Sequence, residues 1–489
     1  MKRILLALLT LLCLGQAQAQ QSLGLTGSNY SGTHGIFLNP ASIADSRLGF
    51  YLDLVSVQAG ATNNYSRLPL GVSKFNDLDN DSFMKRSNGQ SKFANILAQA
   101  QVLSFMVKMS PVHSFAFTNR VRFGISGNGV SEQLANVIFD GADEKDLIGQ
   151  SYSGVRFNMN VNAYKETGLT YARVIKVTPD YTLKGGITIN RLHGITSAYI
   201  VSKDLDFSVS EIPDNQEDPT ILNIQRINMQ YAYVPSDVYD NALENTSIGT
   251  FFGKGLPGRG WGVNLGVTFE KPEIRSNVKE GKQLIDSLKA VHKGGAKPKL
   301  SKMTNNYRYR VGVSLMDIGS IRYKGNSIRS YDISRTNKEI ALNDLSGSLD
   351  DITGTINRAL NVNETEVKNS FTTGLPTALQ VNFDYHLTGK LYVNTVWVQN
   401  LRGKYATGMR QTSMLAVTPR LEMRWFEIAL PVALAGNYRN LTLGTYIKAG
   451  ILHVGSDNIA GILGMGKTYG LDIYTGLHIP VFAKNKQAK

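Results

Sequence analysis

The chain has 489 residues, is 42% hydrophobic, and carries 52 Lys and Arg against 38 Asp and Glu, a net charge of +14. Its one cysteine, Cys13, excludes a disulfide framework and a thiolate metal site. Past the N-terminus no apolar run reaches the ~18 residues of a membrane-spanning helix, and the basic excess favours anions or an anionic surface as partners.

The first residues read MKRILLALLTLLCLGQAQAQ. Lys2 and Arg3 precede an apolar run from Ile4 to Leu14, and Ala17 and Ala19 occupy the small-residue positions of a cleavage site. This predicts a secretory signal peptide over residues 1–19, cut before Gln20, and not a transmembrane helix. A lipoprotein signal at Cys13 is disfavoured because Leu12 and Leu14 flank it where small residues are wanted. Loss of Lys2 and Arg3 lowers the charge excess to +12 and leaves no cysteine. Export also makes nucleic acid an unsuitable partner and turns the basic excess toward lipid phosphates or acidic solutes. Residues 20–46 are Gly- and Ser-rich and lack periodicity.

From residue 47 the dominant signal has period two. SFAFTNRVRFGIS (114–126) sets Phe115, Phe117, Val121, Phe123 and Ile125 against Ser114, Thr118, Arg120, Arg122 and Ser126. VRFNMNVNA (155–163) alternates Val155, Phe157, Met159 and Val161 with Arg156, Asn158, Asn160 and Asn162. WGVNLGVTFE (261–270), LQVNFDYHL (379–387) and LTLGTYIKA (441–449) repeat the pattern. These are strands with one apolar and one polar face. A soluble sandwich would turn the apolar face inward, and a membrane barrel turns it to lipid. Strand lengths near the nine to eleven residues of a tilted spanning strand favour the barrel. So do polar faces of Asn, Gly, Thr, Ser and Arg. Aromatics near strand ends (Tyr51, Tyr181, Trp261, Tyr307, Trp397, Trp425 and Tyr474) are read as an interfacial girdle. Lipid tolerates no open sheet edge, so the expectation is an all-β, closed, antiparallel transmembrane barrel over residues 47–482, monomeric, with 14 to 16 strands and 14 favoured.

The connections at 66–100, 128–150, 210–219, 236–258, 271–305 and 336–375 are long and polar, and those at 388–390 and 436–440 are tight. Long loops at one rim and short turns at the other are expected. Two inserts carry helical stripes: Leu284, Leu288 and Val291, then Leu349, Ile352, Ile356 and Leu360. They would pack on the rim or inside the barrel. The alternatives are a partner-binding helix and, for the second stripe, a lumen plug. Residues 483–489 form a basic tail.

GTHGIFLNPASIADSRLGFYLDL (32–54) resembles the N-terminal region of FadL-like outer-membrane barrels, with Asn39, Pro40 and Ala41 as the Asn-Pro-Ala element before the first strand. FTTGLPTALQVNFDYHL (371–387) resembles their Leu-Pro-Thr-x-Leu strand start. NPASIADSR with NNYSRL is similar to a family of outer-membrane proteins carrying a domain of unknown function. The resemblance implies that residues 20–46 fold inside the barrel as a plug. It also implies kinship with hydrophobic-compound channels and with the PorV shuttle protein of type IX secretion. Asn39–Ala41 is then either a rigid turn feeding the strand or a gating hatch.

Candidate chemistry is sparse. DLDND (77–81) starts like a calcium loop but has Ser82 and Asn88 where Gly and Glu are required. Seven histidines show no metal-ligand spacing. No catalytic motif, cofactor motif or metal site is expected, so the protein is read as not an enzyme. The polar strand faces carry Arg120, Arg122, Arg156, Lys184, Arg308, Arg310 and Lys448, with Glu270, Asp384 and Asp472 as counter-charges. These basic residues either guide an anion through the lumen or pair with lumen carboxylates and the plug. GILGMGKT (461–468) matches the nucleotide-binding G-x-x-x-x-G-K-[ST] pattern, but YGLDIYTGLHIPVF after it alternates as a strand. The helix that a phosphate loop needs is missing, and no nucleotide is expected. Expected partners are outer-membrane lipid, a small hydrophobic or amphipathic acid crossing passively, and, alternatively, envelope proteins held by loops 271–305 and 336–375.

Overall fold

The computed structural model describes residues 21–67, 84–140, 148–178, 180–211, 220–238, 253–273, 307–341, 349–463 and 469–483. The signal segment 1–19, the DLDND stretch, the Leu284–Val291 stripe, and Lys467 and Thr468 lie outside them.

Sixteen strands matter to the site. They are β1 (Leu48–Asn63), β2 (Lys92–Lys108), β3 (His113–Val130), β4 (Phe157–Val177), β5 (Thr182–Glu211), β6 (Thr220–Tyr233), β7 (Gly258–Pro272), β8 (Tyr307–Lys324) and β9 (Arg329–Ala341). Then come β10 (Ser370–Gly374, continued by Ala378–Thr388), β11 (Leu391–Asn400), β12 (Met414–Glu422), β13 (Phe426–Ala429 and Val432–Ala435), β14 (Asn440–Leu443 and Thr445–Ala449), β15 (Leu452–Ser456) and β16 (Gly470–Phe482). All but β6 and β9 join one antiparallel barrel of 14 strands, closed where Phe50 of β1 faces Val481 of β16.

The barrel is inside-out relative to a soluble protein. Outward positions such as Val57, Phe115, Leu169, Ile189, Val267, Phe383, Val417 and Ile473 are exposed, while Asn158, Glu166, Asp384 and Arg420 are buried within. An exterior of this kind is stable against lipid and not against water.

The alternation fixes which side chains enter the lumen, and bulges change it. β7 and β8 lose register between Lys271 and Pro272, so Tyr307 and Arg310 both point inward and Arg308 points out. The girdle assignment needs a related correction. Tyr51, Tyr307 and Tyr474 are buried in the lumen, because their strand parity places them there. Trp261, Trp397 and Trp425 are exposed. A row of stacked rings, Tyr181 in the turn before β5 and then Phe269, Tyr309 and Phe383 on the neighbouring β7, β8 and β10, runs near one rim.

The loops are less segregated than expected. Short turns at 109–112, 178–181, 389–390, 423–425 and 450–451 share a rim with the connection from Pro272 to Tyr307, since those two residues pair. The segment 271–305 therefore leaves from the rim opposite 336–375, and one partner on one side of a membrane cannot engage both. The strand region also begins earlier than 66–100 suggested, at Lys92. Helix α2 (Glu132–Asp140) occupies part of 128–150.

Beyond the long-loop rim, β5 overshoots the barrel and pairs with β6, which pairs with β9. This three-stranded extension carries helix α3 (Leu349–Ala359). Ile356 and Leu360 bury against Ile227, Met229, Tyr231 and Ile333. The second apolar stripe thus packs on the extension and is not a lumen plug.

Candidate functional site

Residues 21–47 run through the lumen. They form a short helix α1 (Leu23–Thr26) and 3-10 turns at Gly32–Phe37 and Pro40–Ile43. Asn39 caps the second turn by accepting a hydrogen bond from the Ala41 amide at 2.8 Å. Its side-chain amide donates to the Val267 carbonyl at 3.0 Å. The Asn39–Ala41 element lies against the wall and does not lead into β1; Ala44–Arg47 does that. The wall is hollowed to receive it. A Cβ on Gly186 would lie 2.4 Å from the Pro40 carbonyl carbon, one on Gly266 2.0 Å from Asn39 Oδ1, and one on Gly312 2.8 Å from Asn39 Nδ2. Three adjacent strands (β5, β7 and β8) each place a glycine beneath the motif.

Further bonds hold the segment along its length. The Leu23 amide donates to Asp457 at 3.0 Å, Ser28 to Glu427 at 2.8 Å, and Asn29 Nδ2 to Glu422 at 3.0 Å. Arg47 pairs with Glu422 at 2.7 Å, and Lys108 with Asp45 at 2.8 Å. Gln101 donates to Thr33 at 2.9 Å, and Ser314 to the Leu38 carbonyl at 2.7 Å.

Of the seven basic residues read as lumenal, five are inside, each beside a carboxylate. Arg120 meets Glu166 at 3.1 Å and Arg122 meets Asp317 at 2.9 Å. Lys184 meets Glu270 at 2.7 Å, Arg310 meets Asp384 at 3.1 Å and Lys448 meets Glu427 at 2.9 Å. Arg156 and Arg308 are exposed, Arg156 over the Tyr405 ring and Arg308 over Tyr385. Arg156 precedes the first residue of β4, so strand alternation does not govern it. A buried Arg420 joins Asp384 at 2.8 Å and Glu422 at 2.9 Å. Its signal was present: Ala416, Thr418, Arg420 and Glu422 alternate with Leu415, Val417, Pro419 and Leu421.

A second obstruction was not legible. Residues 401–413, between β11 and β12, fold across the lumen to the opposite wall. Gly408 donates its amide to Asn160 at 2.7 Å, Asn158 donates to the Ala406 carbonyl at 2.8 Å, and Arg410 donates to Asn128 at 3.2 Å. Met409 packs where a Cβ of Gly124 would stand. Nothing in the loop repeats, so the sequence carries no periodic mark of it.

Between loop and plug lies a cavity of about 60 Å³, lined by Arg120, Arg122, Asp317, Gln58, Gln101 and Gln411, among others. At roughly 30 Å³ per molecule of liquid water it has space for a few waters and no more. Among the described residues, the plug, the inward loop and paired side chains occupy the lumen on either side of this cavity.

Two histidine clusters lie elsewhere in the lumen. His34 Nε2 lies 3.2 Å from Asp53 and 3.4 Å from the Ser56 hydroxyl, which itself donates to Asp53 at 2.7 Å. One nitrogen faces both groups, whereas a catalytic base needs the carboxylate and the nucleophile on different ring nitrogens. His34, His453 and His478 converge, yet no set of three His, Cys, Asp or Glu among the described residues is placed to hold a metal. In the 461–468 stretch, helix α4 (Ile459–Ile462) precedes the glycine-rich segment and β16 follows it. A phosphate loop requires the reverse order.

The family model for a family of unknown function (DUF5723) matches residues 40–457. No curated protein matches the chain. Among solved structures, the Ralstonia pickettii toluene transporter TbuX aligns over 96% of this chain and 99% of its own, at 9% identity and TM-score 0.37. The Pseudomonas putida toluene transporter TodX aligns over 96% and 100%, at 7% and 0.39. A Pseudomonas aeruginosa FadL homologue aligns over 95% and 98%, at 12% and 0.38. The strand pairings of this chain, and not these distant alignments, carry the fold assignment. With the match spanning most of its length, the chain belongs to the family of unknown function DUF5723, and its own strand pairings close an antiparallel barrel of 14 strands.

Proposed function

We propose that this is an integral outer-membrane channel, exported by the signal segment 1–19, that lets a small amphipathic acid cross passively and rests in a closed state. The polar cavity trapped between plug and inward loop carries the reading. Its lining draws on the plug and on several walls of the barrel, and its Arg and Gln side chains suit an acid's carboxylate better than a bare hydrocarbon. The plug, residues 21–46, is the lower barrier, and its Asn39–Ala41 seat is where movement would begin. The five strand-borne lumen cations Arg120, Arg122, Lys184, Arg310 and Lys448 are each paired with a carboxylate, so solute would have to exchange with those pairs.

Uptake into liposomes tests this. Protein lacking residues 21–46 should pass benzoate and short fatty acids at least tenfold faster than the full chain. If neither crosses even with 403–409 also removed, the channel reading falls. The second reading is a non-transporting scaffold, favoured by the filled lumen and by the extension of β5, β6 and β9 with helix α3. It predicts that both deletions leave the membrane tight.

A further inference from the structure

Strand register brings four basic side chains into one row on the outside of the barrel. Lys165 of β4 faces His193 of β5, His193 faces Arg259 of β7, and Arg259 faces Arg322 of β8. The row shares the outward parity of Leu169, Ile189 and Val267. Lys165 and His193 are buried, and a Cβ on Gly253 would lie 2.2 Å from the His193 ring, so the chain at Gly253 rests on the wall there. Arg259 and Arg322 are exposed, as are Lys324, two residues beyond Arg322, and Lys254, next to Gly253. One step toward the apolar belt, Arg191 lies over the ring of the exposed Trp261 at 4.8 Å.

Depth and charge both single out this row. His193 is 11 residues past Thr182 and Arg259 is 13 before Pro272, each counted from the short-turn rim. A tilted strand crosses hydrocarbon in roughly nine to eleven residues, so the row falls at the headgroup level of the opposite leaflet. Trp261 fits that depth, since indole rings collect at the interface. Like charges directly opposite on neighbouring strands repel, and the charged groups acting on His193 are Arg191, Lys165 and Arg259, all cations. Among the described residues, Arg191, Arg259 and Arg322 have no carboxylate partner. At the short-turn rim, by contrast, Lys271 meets Asp180 at 3.4 Å and Arg308 meets Glu273 at 3.8 Å.

We infer that this row binds the phosphates of a lipid headgroup in the leaflet at the long-loop rim, with Arg191, Arg259 and Arg322 as its cations and Trp261 beside the acyl chains. Guanidinium groups take phosphate oxygens in a bidentate fashion, and each basic residue at a membrane surface strengthens contact with anionic lipid. A free anion has no use for an indole and an apolar wall next to the arginines; a lipid presents phosphate and acyl chain at these two depths together. The inference rests on the reading of the barrel as an integral membrane protein and is independent of whether the lumen conducts.

Native mass spectrometry of the purified full chain in nonionic detergent, titrated with diphosphoryl lipid A and separately with phosphatidylcholine, tests the site. Saturable retention of diphosphoryl lipid A in preference to the zwitterionic lipid is expected. The double variant Arg259→Gln with Arg322→Gln should bind it roughly thirtyfold more weakly, about fivefold for each arginine at an anionic surface, with heat-modifiable gel migration unchanged. Lys271→Gln with Arg308→Gln, at the other rim, should bind as wild type. If the first double variant does not fold, Arg322→Gln alone should show the fivefold loss. Equal retention of both lipids, or retention unchanged by the Arg259 and Arg322 substitutions, overturns the inference and leaves an acidic protein surface as the counter-charge. Protein that stays soluble without detergent or lipid removes the membrane reading as well; an inserted barrel with no preference for phosphate removes the lipid site alone.

Discussion

At the scale of residues, the plug seat shows how absence of a side chain can be specific. Gly186, Gly266 and Gly312 come from three strands far apart in sequence and meet only through strand register. Strand glycines cost stability, so three under one motif indicate a close backbone approach. Filling one should loosen the plug without opening the barrel. Overpacking costs about 1–3 kcal/mol, or roughly five- to a hundredfold in the open population. Gly186→Val should therefore speed maleimide labelling of a Ser42→Cys reporter by a factor in that range. With Cys13, the one cysteine of the sequence, replaced by Ser, the reporter is the only thiol. Gly127→Val, with open space around its Cβ, should leave labelling alone; equal rates in both would remove the seat from the account. The same residues show what period two can and cannot reveal. It placed Arg120, Arg122, Lys184, Arg310 and Lys448 inward. It misplaced Arg308 because one bulge changes parity, and it could not pair Arg122 with Asp317, 195 positions away.

At the scale of elements, long periodic strands were legible and inward-folding loops were not. Hydrophobic alternation is enforced by lipid along every strand, whereas loop 401–413 is fixed by a few long-range bonds with no repeating pattern. Helix α2 is of the same kind. Its Glu132 closes a turn of the 84–92 connection, accepting bonds from the Ser87 hydroxyl, the Asn88 amide at 2.9 Å, the Gly89 amide at 2.8 Å and Lys92 at 2.9 Å. Burial pushes the carboxyl up, but those donors outweigh it and hold the pKa down to about 2. A depressed carboxylate contributes stability above its ordinary value of 4.5, and that contribution is lost as pH falls through the folded value. The melting temperature of wild type should exceed that of Glu132→Gln by a constant margin at neutral pH. The margin should shrink between pH 4.5 and 2. A margin unchanged across that window would show that the clamp does not depend on the charge.

At the scale of the molecule, the distribution of charge and apolar surface decides where the protein can exist. Asp384 and Glu427 have no exposure, while Leu441 is 73% exposed and Leu169 65%. Burying these charges is tolerable because Arg310 and Arg420 pair with Asp384 and Lys448 with Glu427, and exposing leucine is tolerable only if the surroundings are apolar. The closed ring of 14 strands leaves no unpaired edge for lipid to meet, so the two properties require each other. Position along the strand then sets the cost of a misplaced charge. Ile189 of β5 faces outward seven residues from the short-turn end of its strand, near mid-depth. Ile189→Arg should destabilise the barrel in lipid vesicles by about 2–4 kcal/mol, the penalty for arginine at a bilayer midplane. Leu441→Arg, in the first piece of β14 beside the opposite rim, should cost about 0–1 kcal/mol. Urea unfolding in vesicles, followed by heat-modifiable gel migration, reads both. Equal and negligible costs, with protein recovered free of lipid, would mean that the apolar belt faces something other than a membrane.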